Sequence, residues 1–180
     1  QGDPLKILST TKAADGTETV TLGGYLVRFS GPRDPDIEGD FFTKETDFGT
    51  LSRRGATTVP AYYQHGFDPY FKNTAIGDAD LTLDEFGVWS EYQIQLRTDY
   101  ERYLVQMATE GKMGQSSGAV AHLVSREQVG PAYHIKTWPI GEGSLTPTPA
   151  EPRTSAVPLK MFKEWAAAQA PVPRIDIGLD

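Results

Sequence analysis

The sequence predicts a mainly β chain with few helices (α+β), folded as a small antiparallel β-barrel or strongly bent sheet. Three observations carry this. Segments 76–83 and 88–96 alternate apolar and polar residues on either side of Asp84-Glu85-Phe86-Gly87, the pattern of a hairpin with one buried face. Helical period appears in only two stretches, 98–111 and 159–168. The 13 prolines and 18 glycines cut the remainder into short pieces bounded by turns. A sheet-rich chain with two helices must use those helices to cover its openings or edges, which favours a barrel over a sandwich.

Taken in order, residues 1–18 are polar with a turn signal at Asp15-Gly16, so they form a lead-in or a hairpin arm. β-branched and aromatic residues then predict strands at Thr19-Val20-Thr21-Leu22 and, after two glycines, at Tyr25-Leu26-Val27-Arg28-Phe29. Prolines make 30–36 a long turn, and 39–48 reads as irregular, with only a weak helix start at Thr43. Val59-Pro60-Ala61-Tyr62-Tyr63-Gln64-His65 is a short strand ending in histidine, before a turn at Gly66-Phe67-Asp68-Pro69. After the hairpin, Tyr100, Tyr103, Leu104 and Met107 share one helix face, with Thr98 or Asp99 as N-cap and Gly111 as C-cap. Two more strands are expected at 119–124 and 132–138, separated by Gly130-Pro131. Residues 139–145 lead into Thr146-Pro147-Thr148-Pro149, whose alternate prolines bar an inner strand. A helix over 159–168 and a tail from Pro171 complete the chain. The expected organisation is a lead-in (1–18), one β domain (19–152) and a C-terminal helix with tail (153–180).

Composition narrows the function. A net charge of −7 argues against a non-specific nucleic-acid binder. The absence of cysteine excludes disulfides, thiolate metal sites and cysteine nucleophiles. No apolar run reaches membrane-spanning length and no signal-peptide pattern opens the chain, so a soluble, intracellular protein is expected. The initial glutamine predicts trimming or processing. Asp78-x-Asp80-x-Thr82 mimics the start of a calcium loop, but Leu83 stands where that loop requires glycine, and the three histidines show no zinc-type spacing. No metal and no cofactor are expected.

The stretch that can carry chemistry is Gly114-Gln115-Ser116-Ser117-Gly118. Glycines flanking a serine let the backbone turn sharply and approach a carbonyl, though the same residues also build ordinary turns. A serine becomes a nucleophile when a base takes its proton and a third group orients the base. With three histidines, base candidates are few. His65 sits at a strand end facing a turn, while His122 and His134 lie inside expected strands. An α/β-hydrolase elbow would demand a parallel sheet and the order serine, acid, histidine, neither of which fits.

The order of motifs resembles the prohead (capsid maturation) proteases of tailed bacteriophages, serine proteases related in fold to the herpesvirus assemblins. The resemblance runs from about Gly23 to Pro152. It rests on Gly24-Tyr25-Leu26-Val27-Arg28-Phe29 with Gly39-Asp40-Phe41, and on Tyr62-Tyr63-Gln64-His65 followed by Ile76-Gly77 and the hairpin. It continues with Gly114-Gln115-Ser116-Ser117-Gly118-Ala119, then Glu142-Gly143-Ser144-Leu145 and Pro149-Ala150. Ser117 replaces a usually larger apolar residue, and Ala119 a usual aromatic. The resemblance implies a herpesvirus-protease-like fold with Ser116 as nucleophile, His65 as general base and Glu142 as third member. Ser117 and His134 are secondary candidates, and the N–H groups of Ser117 and Gly118 would line an oxyanion hole. It further implies an endopeptidase acting on phage major capsid protein and scaffold, and on itself, within the assembling prohead in the host cytoplasm. A homodimer is possible, and neither nucleic acid nor membrane is a partner. The rival expectation is a protease-like structural or assembly protein of the capsid that does not cleave.

Overall fold

The computed structural model describes residues 5–151. In chain order its elements are β1 (Lys6–Lys12), β2 (Glu18–Arg28), β3 (Asp40–Phe41), α1 (Thr50–Arg54), β4 (Ala56–Tyr63), β5 (Gly77–Leu83), β6 (Gly87–Gln95), α2 (Asp99–Thr109), β7 (Gly114–Ala119), β8 (Ser125–Val129), β9 (Ala132–Thr137) and β10 (Ile140–Thr146). Seven strands form one sheet in the order β1-β2-β6-β5-β4-β10-β7, and β3-β9-β8 form a smaller one. The large sheet is curled into a half-barrel. Its ends approach so closely that a Cβ on Gly24 in β2 would lie 2.7 Å from Nε2 of Gln115 in β7. Across that closure Ser90 Oγ lies 2.5 Å from Gln115 Oε1 and 2.9 Å from the Gly24 carbonyl oxygen.

The hollow of the curl is the core. Alternation puts Leu22, Ala79, Leu81, Tyr92, Ile94, Ala61 and Leu145 inside, all at or near zero exposure. Helix α2 adds Leu104, Met107 and Ala108 to the same cluster. Its start is fixed by a capping box: Thr98 receives the N3 backbone N–H, and the Glu101 side chain receives the Thr98 N–H. Gly111, at φ 71°, lets the chain leave the helix toward β7. Among the described residues no helix is long and apolar enough to cross a membrane.

Several expectations are corrected. Gly23-Gly24 does not divide two strands; β2 runs unbroken from Glu18 to Arg28, because these glycines lie where Leu8, Trp89, Leu5 and Gln115 side chains leave no room for a Cβ. The polar segment before it takes the hairpin form of its two expected readings: β1, an exposed edge strand, pairs with β2 around the Asp15-Gly16 turn. The strand at 119–124 is instead a single 3-10 turn at Ala121–Leu123 that carries His122, and strand pairing resumes only at β8. Residues 140–146, expected only to lead into the proline-rich segment, form β10, which pairs parallel to β4 and antiparallel to β7. The sheets are therefore mixed, not wholly antiparallel, with β3 also parallel to β9. The strong 76–96 hairpin and the 98–111 helix appear as expected, as β5–β6 and α2. The expected helix at 159–168 and the tail lie outside the described residues.

Candidate functional site

The Gly114–Ala119 stretch is a strand, not a turn. As β7 it closes one edge of the large sheet, with Ser116 opposite Ser144, Ser117 opposite Gly143, and Gly118 opposite Glu142 on β10. Directly opposed residues of an antiparallel pair share a face, and neighbours along a strand alternate. Gly143 faces the core, where a Cβ would meet the Tyr92 hydroxyl at 2.7 Å. Ser116 therefore lies on the other face, together with Gly118, Ser144 and Glu142. Ser117 faces away from that group, and its Oγ accepts a hydrogen bond of 3.0 Å from Trp138 Nε1. The two neighbouring serines are thus separated by the pleat: Ser116 is presented to the Glu142 face and Ser117 is held by an indole.

His65 reaches the same face from the other side of β10. Strand β4 ends at Tyr63, opposite Leu145, and the chain then passes through three successive left-handed residues, Gln64 (φ 47°), His65 (φ 56°) and Gly66 (φ 77°). Left-handed backbone costs a residue with a Cβ about 1–2 kcal/mol, so two such residues mark a constrained turn. Bonds offset the cost. The His65 N–H donates to Ser144 Oγ at 3.1 Å, and the Phe67 N–H to the Gln64 carbonyl at 2.9 Å. Behind the turn, buried Asp68 accepts the N–H groups of Tyr70 and Phe71, both at 3.0 Å, and the Tyr100 hydroxyl of α2 at 3.1 Å.

The turn delivers the imidazole to a carboxylate. His65 Nδ1 lies 2.5 Å from Glu142 Oε1, and Ser144 Oγ donates to Glu142 Oε2 at 2.6 Å. The hydrogen bond to Glu142, with the attraction of its charge, raises the His65 pKa above the ordinary histidine value against the opposing effect of burial. An ionised carboxylate only accepts, so Nδ1 carries the proton and, in the neutral ring, Nε2 carries the lone pair. That is the tautomer a general base needs. Among the described residues Ser116 Oγ has no hydrogen-bond partner, and no hydrogen bond joins it to His65 Nε2. In unliganded sites catalytic hydrogen bonds are often long or unformed and tighten when substrate arrives.

The remaining sequence candidates fall elsewhere. His134 belongs to the small sheet, stacked on Phe41 with centroids 5.0 Å apart and 2.9 Å from Thr43 Oγ1 through Nε2. Burial, and Lys136 nearby, lower its pKa. Two contributors were not singled out from the sequence: Ser144, which binds both His65 and Glu142, and Trp138, which occupies Ser117. Glu142-x-Ser144 has the i, i+2 spacing that places two side chains on one strand face, and that signal would have exposed Ser144 had 140–146 been read as a strand.

Neither a curated protein nor a solved structure matches this chain. A sequence model of the caudovirus prohead serine proteases does match, over residues 8–166, which include every strand just described but part of the first. With a histidine–glutamate pair and a strand-borne serine on one face of a curled sheet, the chain belongs to the caudovirus prohead serine protease family.

Proposed function

We propose that this chain is a serine endopeptidase that cleaves capsid and scaffold proteins, and itself, during head maturation inside the assembling prohead. The observation that carries the assignment is the 2.5 Å pairing of His65 Nδ1 with Glu142 on the face that Ser116 shares. Ser116 Oγ attacks the scissile carbonyl as His65 Nε2 takes its proton, forming a tetrahedral adduct. His65 then hands that proton to the leaving amine, the C–N bond breaks, and an acyl-enzyme remains. Water, deprotonated by the same nitrogen, hydrolyses the ester and restores the serine. Glu142 holds the ring in its Nδ1–H tautomer and stabilises the imidazolium as it forms. The Ser117 and Gly118 N–H groups point to opposite edges of β7, so the one turned away from β10 is the proposed oxyanion donor, worth roughly 3–4 kcal/mol where such donors have been removed from other enzymes. A herpesvirus-protease-like fold and a homodimer belong to the same reading.

The test is cleavage of co-expressed capsid or scaffold protein by wild type and by Ser116→Ala, with labelling by a serine-reactive fluorophosphonate alongside. Cleavage and labelling that vanish together in the variant support the assignment, and equal cleavage by both proteins overturns it. A second reading, a protease-like capsid component that does not cleave, draws on the unpartnered Ser116 hydroxyl. It predicts no labelling of the wild type and stoichiometric retention in mature particles.

A further inference from the structure

We propose that Ser144 is a positioning residue that locks the His65–Glu142 pair, a role that rests on the assignment of that pair above. Its side chain is wholly buried, in the middle of β10 and under the left-handed turn. Both of its hydrogen bonds go to the pair: it accepts the His65 backbone N–H at 3.1 Å and donates to Glu142 Oε2 at 2.6 Å. The directions are forced. An amide can only donate and a carboxylate only accept, so the single hydroxyl proton goes to Glu142 and a lone pair is left for His65.

With the 2.5 Å contact between Glu142 Oε1 and His65 Nδ1, these bonds form a closed circuit. It runs from the His65 amide through Ser144 Oγ, the two carboxylate oxygens and the imidazole back to the same residue. Neither the carboxylate nor the imidazole can swing without breaking a bond at Ser144 or at Nδ1. The circuit holds a backbone conformation that a residue with a Cβ rarely adopts, and it aims Nε2 in one direction. A hydroxyl is the smallest group able to accept and donate at once, which accounts for a serine between Glu142 and Thr146 on this face of β10.

The experiment reads His65 directly. With three histidines in the sequence, imidazole resonances can be followed by NMR titration of the full chain in a Ser116→Ala background, and assigned with His65→Gln. Ser144→Ala is expected to lower the His65 pKa toward the ordinary histidine value and to leave the His122 and His134 titrations in place. In the protein that keeps Ser116, Ser144→Ala should slow fluorophosphonate labelling about 10- to 100-fold, the scale of a misplaced catalytic group. Its acid limb should move to lower pH, and in a Glu142→Gln background the same change should have little further effect. If the alanine variant does not fold, Ser144→Cys fills the site with a somewhat larger group that is only a weak donor and should shift His65 in the same direction. A folded Ser144 variant whose His65 titrates as in the parent, or rate losses that add fully to those of Glu142→Gln, would overturn the proposal. A wild type that neither labels nor cleaves would sink the protease assignment, and the NMR titration would still decide the role of Ser144.

Discussion

Glu142 lies folded over Gly118: a Cβ on Gly118 would sit 2.1 Å from the carboxylate Oε1. The glycine two residues beyond Ser116 is thus required by what covers it, not by a turn. Its backbone is outside the left-handed region, so alanine is compatible with the local conformation, and the three atoms nearest its Cβ all belong to Glu142. Gly118→Ala should displace the carboxylate from His65, slowing fluorophosphonate labelling about 10- to 100-fold with a small change in thermal midpoint. A labelling rate equal to wild type would show that Glu142 does not need its observed position.

The adjacent serines separate in a second experiment. Ser116→Ala should abolish labelling. Ser117→Ala should leave it within a few-fold while costing about 1 kcal/mol of stability, because Trp138 Nε1 loses its acceptor. Urea denaturation and labelling on the same samples check both halves, and loss of labelling in Ser117→Ala alone would reverse the assignment.

Activity should depend on pH through His65. The base must be neutral, and its pKa is raised chiefly by the bond to Glu142, so the acid limb of kcat/KM should lie above the ordinary histidine value. Glu142→Gln should move that limb down and lower the plateau. The same shift bears on stability with a definite sign. A folded-state pKa above the unfolded value favours the native protein fully below the unfolded pKa, and this contribution is lost as pH rises through the folded value. The stability difference between wild type and His65→Gln should therefore be larger at pH 6 than at pH 8.5, as urea midpoints can show.

Beneath the site, the Tyr92 hydroxyl is wholly buried against Gly143 and makes no hydrogen bond of good geometry among the described residues. Burial raises its pKa strongly, so it stays neutral. An unpartnered buried hydroxyl is costly, and Tyr92→Phe should stabilise the protein by about 1 kcal/mol. Calorimetry checks this, and a lowered midpoint would point to an unseen role for the hydroxyl.

How far the sequence reveals this molecule depends on which force shapes each segment. The β5–β6 hairpin and α2 were legible because one-sided burial prints a period of two or of a helical turn on the chain. Strands β7 and β10 were not, since their glycines answer to contacts with other strands: Gly118 to Glu142, Gly143 to Tyr92. Propensity reads such glycines as turns. Helix α1 was missed for want of length, being a single turn between Gly49 and Gly55. The candidate residues His65, Ser116 and Glu142 could be named from motif order, but the pleat that separates Ser116 from Ser117 exists only once the register of β7 on β10 is known.

That register has a consequence in time. Strands β4 and β7 do not touch as partners; β10 lies between them and is made last of the three. A ribosome therefore releases the histidine and the serine well before the strand that spaces them and brings the glutamate. Under the proposed assignment the nascent chain is harmless to itself and its neighbours until residue 146 has been laid into the sheet. A chain that stops between β7 and β10 has nucleophile and base but nothing to hold them in register.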